Sequence, residues 1–145
     1  MPLIEGEKLS KLYQVGNDQV HALREVDVSI EEGDFTAILG PSGSGKSTLM
    51  HLLGFLDRPS SGRIVLDGEE LSQTTEAQRA RVRSEKIGFV FQSFNLLPRL
   101  TVLQNTQLPL SNSRRHDGAA RAKAMEALER VGLGDRVRHR PSQLS

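Results

Sequence analysis

"ILGPSGSGKSTLM", residues 38–50, sets three glycines, three serines and one lysine between two apolar flanks. The run before it, "FTAIL" (35–39), reads as a buried strand, and the run after it, "KSTLMHLL" (46–53), as a helix. A glycine loop between strand and helix is the context of a phosphate-binding loop. The pattern GxxxxGK[ST] is met by Gly40, Pro41, Ser42, Gly43, Ser44, Gly45, Lys46 and Ser47. Glycines at 40, 43 and 45 let the backbone curl until successive N–H groups point inward at phosphate oxygens, a geometry that a Cβ obstructs. The helix start adds unpaired N–H groups and partial positive charge. Lys46 is then placed to reach the β- and γ-phosphates, and Ser47 to set its hydroxyl on Mg²⁺. Thr48 offers one more hydroxyl near the α-phosphate.

Working outward, strands and helices take turns with no repeat and no low-complexity linker. Strand patterns occupy Leu9 to Val15, Leu23 to Ile30, Asp34 to Leu39, Arg63 to Leu66 and Lys86 to Phe91. Asp67-Gly68 is a dipeptide that closes a tight reversal, so the early part is expected to be antiparallel in places. Helices are expected at Lys46 to Leu53, ended by Gly54, and at Glu76 to Val82, where Thr75 and Gln78 suit a capping box. A longer helix is expected from about Asp117, its N-cap, to Val131, with Gly132 as the stop and Ala122, Met125, Leu128 and Val131 as its core face. Residues 92–113 read as a loop region with at most a short helix around Thr101 to Gln107.

At 145 residues the chain has one domain's worth of core. Nineteen basic against eighteen acidic residues leave a formal charge of +1, so bulk charge implies neither nucleic acid nor anionic membrane. Eight basic and four acidic residues fall in 114–140, against eleven and fourteen in 1–113, which reads first as a solvated helix face. Cysteine is absent, so disulfides and thiolate metal sites are excluded. The start, "MPLIEGEKLS", carries acids where a signal peptide carries positive charge, and no eighteen apolar residues run together. The expectation is a chain that neither spans a membrane nor is addressed through one. His21, His51, His116 and His139 have neither metal-ligand spacing nor a partner constellation.

A phosphate loop alone does not choose among kinases, GTPases and transporters, but "GPSGSGKSTLMHLLGFLDRPSSGRIVLDGEEL" (40–71) and "IGFVFQSFNLLPRLTVLQN" (87–105) do. Together they resemble the nucleotide-binding subunit of ABC transporters, in the branch serving lipoprotein release and macrolide-type export. The resemblance runs from "LSKLYQVGNDQVHALREVDVSIEEGDF" (9–35) to the last residue. It implies an α/β P-loop core with an antiparallel β portion over residues 1–91, followed by a glutamine loop and a partial helical subdomain over 92–145. It also implies ATP and Mg²⁺ as ligands. Tyr13 stands where the family has an aromatic that stacks on adenine, a contact any π-face makes without polar readout. Gln92 matches the glutamine that touches Mg²⁺ and the attacking water, which an amide orients through donor and acceptor together. The loop "SFNLLPRL" (93–100) resembles the contact surface for a membrane permease; Phe94, Leu96 and Leu97 read equally as local core. Gln104 departs from an acid common in this branch.

"HRPSQLS" ends at Leu144 and Ser145, two residues into what resembles the LSGGQ signature. The resemblance therefore implies an N-terminal fragment of the nucleotide-binding domain. The rest of the signature, the metal-holding Asp, the catalytic Glu and the switch His are not in the chain. Asp67 does not replace that Asp, because it sits in a turn dipeptide with no acid directly after it. A GTPase or kinase reading is opposed by the lack of any NKxD or DxxG run. A nucleic-acid or ribosome role for an ABC-type protein is opposed by the near-neutral charge. The expected setting is cytoplasmic, on the inner face of the cell membrane through a permease partner, with a second nucleotide-binding subunit and no nucleic acid.

Overall fold

A hairpin opens the fold: β1 (Ile4–Val15) turns through Gly16 and Asn17 into β2 (Asp18–Ile30), with Val15 opposite Asp18 and Ile4 opposite Ile30. The sequence reading passed over this turn, although Gly-Asn between two β-rich runs is a hairpin signal. The computed structural model describes residues 1–111 and 120–144. β3 (Ser61–Leu66) pairs antiparallel with the other edge of β1, and β4 (Glu69–Glu70) with β3, giving the order β2-β1-β3-β4. Asp67 and Gly68 join β3 to β4 with φ of +54° and +76°, the geometry of the mirror-image turn that suits strand twist.

β1 does not alternate evenly. Its register slips between Gly6 and Leu9, where Lys8 takes φ +47° and donates its N–H to Asp27 Oδ1 at 2.6 Å. The extra residue shifts the buried phase from Gly6 to Leu9 and Lys11. Leu9, Leu23, Ile64 and Leu66 from the sheet then pack with Leu49, Leu52 and Leu53 of α1 (Lys46–Leu53) and with Phe55 just beyond it.

α2 (Glu76–Lys86) starts on the expected capping box: Gln78 N–H donates to Thr75 Oγ1 and Thr75 N–H to Gln78 Oε1. It runs four residues past Val82 because its last turns are anchored, Arg83 to the Phe55 carbonyl at 2.7 Å and Lys86 to Asp67 at 3.0 Å.

The chain divides into two compact units, Met1–Phe89 and Val90–Ser145, each with its own core. In the second, α3 (Val102–Ser111) packs on α4 (Ala120–Arg130) through Val102, Leu103, Ala124 and Leu128. α3 is longer than the expected short helix and carries Pro109 within it. Thr101 and Gln104 exchange backbone and side-chain hydrogen bonds at its start, so the neutral Gln104 serves as a capping partner. Asp117, the expected N-cap of α4, lies outside the described residues, as does His116; Gly132 ends the helix at φ +73°. The expected core face is corrected: Ala122 and Val131 are exposed, while Ala124 is buried. On a 3.6-residue helix Ala122 lies about 120° round from Leu128, off the buried stripe, and Val131 lies past the end of α4, in the turn that Gly132 closes.

Two expected strands are also corrected. Residues 34–39 and 86–91 enter no ladder among the described residues, and Lys86 instead closes α2. A strand needs a neighbour's hydrogen bonds, and a parallel one needs cover on both faces. Phe35 and Val90 are fully exposed and Leu39 nearly so, although Ile38 and Ile87 pack against the core. Apolar patterning alone does not supply the neighbour.

Candidate functional site

Residues 40–45 leave the extended run after Ile38 and curl back before α1. Gly43 and Gly45 have φ of +79° and +92°. Gly45 is the N-cap of α1, and a Cβ there would lie 2.5 Å from the Ala22 carbonyl oxygen and 2.9 Å from Leu23 Cδ2. The helix start is therefore seated directly on the β2 backbone. At Gly43 a Cβ would meet nothing within 4 Å, so that side of the loop is open. Gly45→Ala combines a forbidden φ with a clash against backbone and is expected to cost about 1–3 kcal/mol of stability, more than Gly43→Ala, whose cost is conformational only. Urea midpoints of the two variants check this; equal midpoints would show that the β2 contact yields freely.

The first intrahelical bond is Leu49 N–H to Gly45 O at 2.8 Å, so the N–H groups of Lys46, Ser47 and Thr48 precede the ladder. No acidic residue stands in the first turn to neutralise that end. The half-buried Lys46 folds back across the loop, donating from Nζ to the Pro41 carbonyl at 2.6 Å, and Ser44 N–H reaches the same oxygen at 3.3 Å. Gly40, Pro41, Ser42, Gly43, Ser44 and Ser47 are exposed around this bridge. The result is a short polar bowl with one ammonium, several N–H donors and the hydroxyl residues Ser42, Ser44, Ser47 and Thr48. Such a donor set matches an anion.

Tyr13 lies beside the bowl. Its hydroxyl donates to Asp57 Oδ2 at 2.9 Å, and the nearby Thr48 hydroxyl favours its ionised form. Lys11, two residues earlier on β1 and buried, donates to Asp57 Oδ1 at 2.7 Å and to the Arg58 carbonyl at 2.8 Å. Its ammonium also stands over the Tyr13 ring, 5.0 Å from the centroid. Burial, followed by the hydrogen bond to Asp57 and the carboxylate's charge, raises the Tyr13 phenol above its ordinary value. Burial works against ionisation of Asp57, but bonds from Lys11, the Arg58 N–H and Tyr13 outweigh it and hold the carboxyl below its ordinary value. Neither Lys11 nor Asp57 was legible as a partner of Tyr13. They stand 2 and 44 residues away from it, and no spacing rule joins a strand end to the segment after a helix.

Gln92 lies exposed in a bend near the start of the second unit. Phe94, Leu96 and Leu97 are 88%, 43% and 50% exposed, so of their two readings they are surface residues. The loop holds its shape without burying them. Asn105 accepts the Leu97 N–H at 2.8 Å and donates to the carbonyls of Leu97 and Thr101 at 3.1 and 3.0 Å. No group of three or more His, Cys, Asp or Glu fit to hold a metal ion occurs among the described residues. None of the described helices is long and apolar enough to cross a membrane.

Comparison with known proteins places this arrangement. The family model described as ABC transporter matches residues 23–145. An uncharacterized ABC transporter ATP-binding protein of Thermotoga maritima is 53% identical over 135 residues, covering 93% of this chain and 58% of its own length. A macrolide export ATP-binding/permease protein MacB of Bdellovibrio bacteriovorus is 49% identical over 143 residues, 99% of this chain and 22% of its own length. Among solved structures, a dimeric post-hydrolysis state of an ATP-binding cassette bound to ADP and Pi superposes with a TM-score of 0.87 at 38% identity, covering 98% of this chain and 63% of that one. The chain thus spans about three fifths of the length of such cassettes. The α/β architecture, the antiparallel sheet and the loop before α1 are those of a partial ABC ATPase cassette, and the chain belongs to the ABC transporter family.

Proposed function

We propose that this chain binds ATP through residues 40–48 and is the nucleotide-binding part of a transporter that couples ATP binding and hydrolysis to export or extraction of a substrate at the membrane. One observation carries the reading. Lys46 spans a glycine-built bowl at an uncapped helix start, its ammonium satisfied among the described residues by the Pro41 carbonyl alone, a neutral acceptor that a phosphate oxygen outcompetes. On binding, Lys46 exchanges that carbonyl for phosphate oxygens while the N–H groups of residues 43–48 receive the rest of the negative charge. The cassette bound to ADP and Pi and the macrolide export relatives agree with this reading.

Within it, Tyr13 presents its ring to adenine, Ser47 would offer its hydroxyl to Mg²⁺, and Gln92, in the second unit, would offer its amide. That sparse set suits the ion, which keeps several waters and takes one or two protein ligands beside phosphate oxygens. When bound, Mg²⁺ would supply charge neutralisation for the phosphate oxygens. Residues 1–91 form the ATP-binding core and 92–145 the glutamine loop and helical subdomain. The apolar loop of Phe94, Leu96 and Leu97 is the contact for a permease, and in the full-length protein a second nucleotide-binding subunit completes the site, as the dimeric cassette suggests. This puts the chain on the cytoplasmic face of a membrane, without nucleic acid. Titration of the chain with fluorescent ATP, in competition with unlabelled ATP and inorganic triphosphate, tests the reading. Saturable binding displaced by both is expected; binding that triphosphate leaves untouched would move the site away from residues 40–48.

A further inference from the structure

The segment after α1 is laced to β1. Ser60 N–H donates to the Ser10 carbonyl at 2.8 Å, Leu12 N–H to Ser60 Oγ at 3.0 Å, and Lys11 to both Asp57 and the Arg58 carbonyl. Through this lacing three groups converge on one side chain. Asp57 takes the Tyr13 hydroxyl, Lys11 covers a ring face, and Thr48, in the first turn of the helix that Lys46 opens, stands near the same hydroxyl. An aromatic ring at a strand end, with Gln14 and Val15 exposed after it, otherwise turns freely about two torsions.

We propose that Lys11 and Asp57 are positioning residues: they lock the Tyr13 ring with one face against the Lys11 ammonium and the other presented beside the phosphate loop, so that the purine of a bound nucleoside triphosphate stacks on a surface already fixed relative to Lys46. The proposal rests on the reading of Tyr13 given above and adds what aims it. A ring already ordered loses no rotamer freedom when the base arrives, and an ammonium on its far face is held there by a carboxylate rather than by the ligand. Asp57 is what keeps Lys11 buried: it lies 2.7 Å from Nζ, and without it a charge only 10% exposed would keep, among the described residues, just the Arg58 carbonyl and the Tyr13 ring face.

Tyr13 is the only tyrosine and tryptophan is absent, so ultraviolet absorbance reports this hydroxyl alone. In the parent chain the phenol is expected to ionise above free tyrosine. Asp57→Asn removes the carboxylate that opposes ionisation and is expected to bring the midpoint down. Dissociation constants for ATP and for inorganic triphosphate are then compared in Asp57→Asn, Lys11→Met, Tyr13→Phe and Tyr13→Ala. Tyr13→Ala is expected to weaken ATP and spare triphosphate, which establishes the stacking itself. Asp57→Asn, Lys11→Met and Tyr13→Phe are expected to weaken ATP by roughly three- to tenfold with triphosphate unchanged, the scale of a lost hydrogen bond or cation–π contact. Tyr13→Phe keeps the Lys11–Asp57 pair intact and so decides the matter if Asp57→Asn fails to fold. If Tyr13→Ala weakens ATP while the other three bind it like the parent, the lock positions nothing and the proposal falls with the stacking reading intact. If Tyr13→Ala also binds ATP like the parent, the stacking reading falls and the lock with it. Equal weakening toward ATP and triphosphate in the positioning variants would indicate damage to the loop and likewise overturn the lock.

Discussion

Lys46→Ala is expected to weaken ATP binding by well over tenfold, while His51→Ala leaves it near the parent value. Truncating one member of a buried charge pair costs about 2–5 kcal/mol, and each 1.4 kcal/mol is a factor of ten. Lys46 is half-buried, so the lower part of that range applies before nucleotide closes over it. The side chain's present bond to Pro41 does not offset the loss, because a neutral carbonyl at 2.6 Å is a weaker partner than a phosphate oxygen. Lys46→Arg is expected to recover only part of the affinity. A planar fork does not fit where a compact ammonium bridges a turn of six residues. His51 is an exposed residue whose carbonyl, not its ring, takes part in ending α1 by accepting the Leu56 and Asp57 N–H groups. Titration with labelled ATP decides the point, and a Lys46→Ala curve overlying the parent's would show that the loop is not the site.

The second large effect is on turnover. The 145-residue chain is expected to bind ATP without hydrolysing it at a rate comparable with a chain extended to the full length of its relatives. Phosphoryl transfer is positioning and charge neutralisation, so missing positioning groups remove most of the acceleration. On the proposed reading Ser47 and Gln92 would offer a hydroxyl and an amide for Mg²⁺, but the sequence has no Asp-Glu pair at the end of an apolar strand to hold the metal and activate water. A partner copy of the same 145 residues brings no completed signature either, since only Leu144 and Ser145 resemble it. One lost preorganised donor costs about 10²–10³ in rate, and losses within one catalytic unit do not add. Phosphate release is measured for this chain, its Lys46→Ala variant and the extended chain. A rate equal to that of the extended chain, and abolished by Lys46→Ala, would put the hydrolytic machinery inside these 145 residues.

Much of the fold was legible because its cues are local. The turn at Asp67-Gly68, the Thr75–Gln78 capping box and the stop at Gly132 each follow from residues within four positions of one another, and all three stand in the structure. The expected strands at 34–39 and 86–91 failed for the opposite reason. Their apolar pattern is local, but a ladder needs a neighbour from elsewhere in the chain, and none of the described residues provides one. α4 shows an intermediate case: the helix was legible, yet its buried face was misplaced, because Ala122 falls well round the helix from Leu128 and Val131 lies past the helix end.

The sequence by itself determined the loop and its chemistry: three glycines, a lysine and a hydroxyl residue at fixed offsets between an apolar run and a helix, a pattern whose geometry is set by backbone torsions over eight residues. Only the tertiary structure decided what surrounds it. The bulge at Lys8 sets which side of β1 is buried. That phase sends Lys11 beneath Tyr13, and the chain's return after α1 brings Asp57 to meet both. Burial of a lysine is unfavourable on any local scale. It happens here because a carboxylate, a carbonyl and an aromatic face, from positions up to 47 residues apart, arrive at one ammonium together.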